Sequence, residues 1–193
     1  MSREAAREKL GLEQDECWLV SVARLDHNKG QWLILEALNR IGIQELQCRR
    51  IRLALIGEGE ERNKLKDITR SSGLTGIVHF AGQLNPEQIH AWYNAATIKI
   101  LASRREGSPN AVLEALACGT PVVATYAGRN GRVIQQGKQG WLCPPEDPES
   151  LRLAILRALD QKWNHLEIAQ YGSQRSWGVV AHEVETVLRL AIK

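Results

Sequence analysis

The sequence is poor in aromatic side chains, has no paired cysteines and lacks any long apolar run, and each shortage closes off a class of protein. Aromatics make up 5% of 193 residues and six of them are Trp, so aliphatic side chains must pack the core. Cys17, Cys48, Cys118 and Cys143 lie far apart and form no C-x-x-C pair, which argues against a zinc site. Three of them sit in or beside apolar runs, where a reduced thiol behaves as a small hydrophobe, as expected of a cytosolic protein. No apolar run approaches the ~20 residues of a membrane span. The start Met1-Ser2-Arg3-Glu4 lacks the apolar region of a signal peptide. Net charge is mild: the value is +3, and the basic clusters Arg49-Arg50-Ile51-Arg52 and Arg104-Arg105 are short. That balance suits a small anionic ligand and falls short of a nucleic-acid footprint.

What is present is a regular alternation. Apolar runs at Cys17–Ala23, Ile51–Ile56, Ile77–Phe80, Thr97–Leu101, Pro121–Thr125 and Trp141–Cys143 read as strands. Between them, Gln31–Ile41, Glu60–Ser71, Pro86–Ala95, Pro109–Ala117 and Glu149–Leu159 read as helices. Such spacing predicts an α/β domain: a parallel sheet of about six strands with helices on both faces, Rossmann-like and single, at 44% apolar content. There is no repeat and no internal linker, so 1–193 forms one unit. The tail, residues 161–193, departs from the rhythm. It carries Trp163, Trp177 and an amphipathic His182–Ile192, and predicts two helices without a further strand.

In an open α/β sheet ligands bind beyond the carboxyl ends of the strands, so the loops there are where chemistry is expected. The first, Ala23-Arg24-Leu25-Asp26-His27-Asn28-Lys29-Gly30, lacks the G-x-G-x-x-G fingerprint of dinucleotide sites. It sets two cations, Arg24 and Lys29, around one turn before a helix. With the helix N–H groups they can hold a diphosphate; as solvated loop charges they need no ligand. The second, Gly57-Glu58-Gly59, fits close backbone approach or an ordinary tight turn. The fourth runs from Ala102 to Glu114. Ser108 suits an N-cap and Pro109 the first helical position, so the N–H groups near Asn110 and Ala111 face the strand ends, with Gly107 leaving the backbone open before them. Glu106 precedes that positive helix end and Glu114 lies more than a turn inside. They would flank an anion and are suited to accept hydrogen bonds from sugar hydroxyls; two Glu eight apart are also common by chance. Cys118-Gly119-Thr120-Pro121 ends the helix.

The run from Glu106 to Ala124 (EGSPNAVLEALACGTPVVA) resembles the E-x7-E block of the family-4 retaining glycosyltransferases, which have the GT-B fold. Ala23-Arg24-Leu25 with Lys29-Gly30, Ile56-Gly57-Glu58-Gly59, Val78-His79-Phe80-Ala81-Gly82 and Gly140-Trp141-Leu142-Cys143-Pro144-Pro145 follow that family's order. The resemblance covers roughly residues 10–190, five motifs in register. It implies the donor-binding half of an enzyme that moves a sugar from a UDP- or GDP-sugar to a glycan or lipid-linked acceptor, with retention and without metal or other cofactor. Arg24, Lys29 and Glu106 would be the catalytic residues. Arg24, Lys29 and the segment Gly107, Ser108, Pro109, Asn110 and Ala111 would hold the diphosphate, Glu114 the ribose, and Glu106 the transferred sugar. The base would lie by Gly82, Gln83 and Leu84, with Gly57 close to the donor. The N-terminal acceptor-binding domain of such enzymes is absent from this chain, which is expected to be inactive alone. Ser2–Leu12 would be the end of the interdomain region. A cytoplasmic protein with no transmembrane segment is implied, placed at the inner membrane face, if at all, through the absent half.

Two features depart from the family. Ala23 replaces a usual Gly, and Arg132 in Tyr126-Ala127-Gly128-Arg129-Asn130-Gly131-Arg132 stands where a Glu is expected, reversing a charge near the sugar pocket or at a short helix start. The alternatives are another GT-B enzyme, such as a nucleotide-sugar epimerase or a glycan phosphorylase, and a non-catalytic nucleotide- or partner-binding module. An NAD-dependent Rossmann protein is disfavoured by the absent glycine fingerprint.

Overall fold

A computed structural model describes residues 1–107, 110–174, 178, 181, 184, 185, 188 and 189. Six strands form one parallel sheet: β1 (Cys17–Val22), β2 (Ile51–Ile56), β3 (Val78–Gly82), β4 (Ile98–Leu101), β5 (Val122–Thr125) and β6 (Gly140–Cys143). Their spatial order is β3-β2-β1-β4-β5-β6. The chain first builds outward from β1 to β3, then returns to the centre and builds the other way from β4. The place where the order reverses, between β1 and β4, opens a crevice at the carboxyl ends of those strands.

Helices cover both faces because the strands are apolar on both. One face carries α2 (Gln31–Ile41), α3 (Ile43–Cys48), α4 (Arg62–Ser71) and α8 (Pro148–Asp160), whose Leu33, Leu38, Leu46, Leu65 and Ile155 are buried on Leu53, Ile98 and Ile100. The other face carries α5 (Pro86–Ala95), α6 (Asn110–Ala117) and α9 (His165–Ser173), with Tyr93, Val112, Leu116 and Ile168 on Leu101 and Val122. Three helices begin or end on caps that their sequence announces. Asn85 and Gln88 form a reciprocal capping box around Pro86, and Asp147 caps α8 before Pro148. Gly119, at φ +75°, closes α6: its N–H reaches Leu116 O and that of Thr120 reaches Ala115 O.

The expected strands and helices appear with shifts of one or two residues at their ends. Two helices, α1 (Arg3–Leu10) and α3, were not foreseen, and the short α7 (Asn130–Val133) carries Arg132. The segment α1 lies on α5, with Ala6 and Arg7 buried and the Arg7 guanidinium donating to the carbonyls of Ala95 and Gln14 and to Thr97 Oγ1. In the tail, Trp163 is half-buried against both core faces and α9 packs on α6, with Gly172 directly over the backbone of Leu116 and Ala117. The expected helix over His182–Ile192 falls largely outside the described residues, as does Trp177.

Candidate active site

The loops after β1 and β4 face each other across the crevice and are laced together. Arg104 N–H donates to Asn28 O at 2.8 Å, and Asn28 Nδ2 donates to Arg105 O at 3.0 Å. Gly30, at φ +67°, lies so close to the Ala102 carbonyl that any Cβ there would overlap it. The loop after β5 joins them: Thr125 Oγ1 donates to Ser103 O at 2.6 Å, and a Cβ on Gly128 would strike the carbonyl oxygen of Glu106. Three strand ends thus share one backbone framework.

On that framework Lys29 Nζ meets Glu106 Oε1 at 2.7 Å, and Ser103 Oγ donates to the same oxygen at 2.7 Å. The Glu106 side chain is only 8% exposed and that of Lys29 26%. A carboxylate removed from water to that degree must keep its donors. Lys29 commits one of its three N–H groups to Glu106, and among the described residues the others have no hydrogen-bond partner. A short 3₁₀ turn over His27–Lys29, capped by Asp26, presents the lysine. Arg24 projects outward, with a side chain 68% exposed and a loose 3.6 Å contact to Asp26. Its carbonyl accepts from the buried Gln31 amide at 2.9 Å.

Glu114 stands apart from Glu106: it is exposed, and its Oε2 accepts from Tyr93 OH at 3.4 Å. The two carboxylates have separate partners. Asn110 begins α6 and Ala111 follows it, behind Gly107; Ser108 and Pro109, the expected cap and first helical residue, lie outside the described residues. Beyond β2, Gly57 at φ +135° donates its N–H to Gly82 O at 2.8 Å. Gln83 is exposed, whereas Leu84 is half-buried against the Trp18–Trp92 cluster. Arg132 is exposed on α7. Among the described residues no three His, Cys, Asp or Glu side chains are grouped so as to hold a metal.

One site residue escaped the sequence reading. Lys99, in the middle of β4, is 0% exposed, and its Nζ donates to Val22 O at 3.2 Å across the β1–β4 crevice. Burial pushes its ammonium down to about 7, against the opposing pull of Glu114 and then Glu106, while Lys29 adds to the lowering. The signal was available: Lys99 is the lone ionisable residue inside an otherwise apolar strand. Burial likewise raises Tyr93, helped by the adjacent Glu114.

The chain matches the family described as glycosyl transferases group 1 over residues 2–175, and it belongs to that family. The mannosylfructose-phosphate synthase of Agrobacterium fabrum is 28% identical over 91% of this chain and 39% of its own length. A D-inositol 3-phosphate glycosyltransferase of Acidothermus cellulolyticus is 32% identical over 80% of this chain and 36% of its own. The solved sucrose-phosphate synthase of Thermosynechococcus elongatus superposes with a TM-score of 0.84 at 25% identity, covering all of this chain and 51% of that one. The fold is accordingly one half of a GT-B glycosyltransferase. The chain spans about two fifths of the two curated relatives' lengths, and no described helix is long and apolar enough to cross a membrane.

Proposed function

We propose that this chain is the donor-binding half of a cytoplasmic retaining glycosyltransferase that uses a UDP- or GDP-sugar. The observation that carries the reading is the gathering of Lys29, Glu106 and the start of α6 at the β1–β4 crevice, with Arg24 at its rim. Arg24, the two N–H groups of Lys29 left by Glu106, and the amides of Asn110 and Ala111 would take the diphosphate. Glu106 would meet the transferred sugar and Glu114 the ribose. As the glycosidic bond breaks, negative charge grows on the leaving diphosphate, and fixed cations and helix dipole stabilise it there without a metal. The acceptor would be a glycan or a lipid-linked sugar, or, as the relatives' names suggest, a phosphorylated sugar or polyol. It would be brought by a second α/β domain, which this half needs for turnover.

Titrating the chain with UDP and GDP by calorimetry tests the reading. One of them should bind, more weakly at high salt. Arg24→Ala and Lys29→Ala should each weaken binding by about 1–3 kcal/mol, as for hydrogen bonds to charged groups. Unchanged affinity in both variants would remove the diphosphate from this crevice.

A further inference from the structure

Lys99 has no part in the donor contacts just described, and its position asks for a reason. Its ammonium has three donors, and among the described residues it has one acceptor, Val22 O at 3.2 Å. It forms no ion pair among the described residues, and the Tyr93 ring centroid lies 5.9 Å away. An incompletely bonded cation buried in a sheet is costly to keep charged. Yet this one is placed where the chain reverses its strand order, under the loops that begin one residue past Val22 and one past Leu101.

The charges around it come from four directions. Tyr93 faces it from α5, with Cys118 of α6 beside that phenol. Glu114 acts on it from α6, Glu106 from the loop after β4, and Lys29 from the turn after β1. The flanking positions on β1 and β5, Val20 and Val122, are apolar. Two carboxylates oppose burial and one ammonium adds to it, so a further anion nearby shifts Lys99 toward its charged form.

We propose that Lys99 is the buried counter-charge of the anion site: a diphosphate bound over the β1–β4 crevice draws a proton onto Lys99, and the resulting ammonium tightens the binding. This rests on the donor-site reading above. Coupling of this kind is reciprocal, so whatever factor the ligand adds to proton affinity, the proton adds to ligand affinity. With its value near 7, Lys99 takes up the proton within the ordinary working range. Lys99 is a positioning charge that reaches the ligand through the field and touches neither sugar nor phosphate.

The test is calorimetry of UDP and GDP at pH 7.5 in two buffers of different ionisation heat, HEPES and Tris, with the chain and its Lys99→Met variant. The nucleotide's own proton exchange is common to both proteins, so the difference belongs to Lys99. Wild type should take up a fraction of a proton more per nucleotide than the variant. Its affinity relative to the variant should fall roughly fivefold or more between pH 7 and 9, within the usual span of site coupling. A side chain with a merely structural role would shift affinity equally at every pH. Should Lys99→Met fail to fold, NMR of lysines labelled at Cε follows the wild-type residue directly, and its titration midpoint should rise when UDP or GDP is added. Equal proton uptake in both proteins, or a midpoint that nucleotide leaves in place, overturns the inference while leaving the donor site intact. Failure of both nucleotides to bind overturns the donor-site reading itself.

Discussion

Replacing Lys99 by Met should make the protein more stable, and more so at low pH. The unfolded lysine titrates near 10.5 and the folded one near 7. Below the lower value both states are charged and the folded state bears the full cost of holding an ammonium away from water. As pH rises through about 7 the folded lysine loses its proton while the unfolded one keeps it, so the cost is relieved at up to about 1.4 kcal/mol per pH unit. Above 10.5 the effect is complete. Between pH 6.5 and 8.5 the relief comes to about 2 kcal/mol. Burial holds the thiols of Cys118 and Cys143 up at about 11 and about 12, so unfolded thiols ionise first and stability falls again as pH climbs past 9.0. The measurement therefore belongs below that point. Met fills a similar volume, and its loss of the bond to Val22 O costs only about 1 kcal/mol. Urea unfolding followed by Trp fluorescence at pH 6.5, 7.5 and 8.5 should show the variant ahead at the lowest pH and its lead shrinking by about 2 kcal/mol at the highest. A lead that does not change with pH would mean that Lys99 keeps one protonation state throughout, and the argument from burial would fail.

Lys29→Ala should lower stability, because Glu106 at 8% exposure is left without its cation; adding Glu106→Gln should return part of the loss, and thermal unfolding of the single and double variants reads this. Glu114→Gln should weaken UDP or GDP alone, whereas Glu106→Gln should spare the nucleotide and weaken the intact sugar donor. Equal damage to nucleotide binding in calorimetry would refute that division. Gly128→Ala should cost about 2–4 kcal/mol in chemical unfolding, since φ is +54° and the new Cβ meets Glu106 O; a variant as stable as the parent would show the β5 loop to be loosely held. Incubated with labelled donor and candidate acceptors, the chain alone should form no acceptor-dependent product, because the positioning a second domain supplies is worth roughly 7–11 kcal/mol. Product at about 1–10³ per second would refute the half-enzyme reading.

Much of the molecule was already legible in its residue order. The alternation of apolar runs with amphipathic stretches, cut by Gly and Pro, marked the strands and most helices, since β pairing, capping and helix periodicity are written within a few neighbouring positions. The E-x7-E block and the Arg24–Lys29 loop pointed to the family on the same local terms. The helix α1 did not show because its sequence REAAREKL is polar almost all round and buries chiefly Ala6 and Arg7, so no apolar stripe announces it. Strand order was equally silent. That β1 and β4 are neighbours, and so where the crevice opens, follows from how six strands share one sheet. Only that arrangement brings Lys29 to Glu106 across 77 positions of chain and sets the Lys99 ammonium against Val22 O at the same separation. Ion pairs and burial are properties of distance in space, and for residues so far apart in sequence the folded sheet alone supplies it.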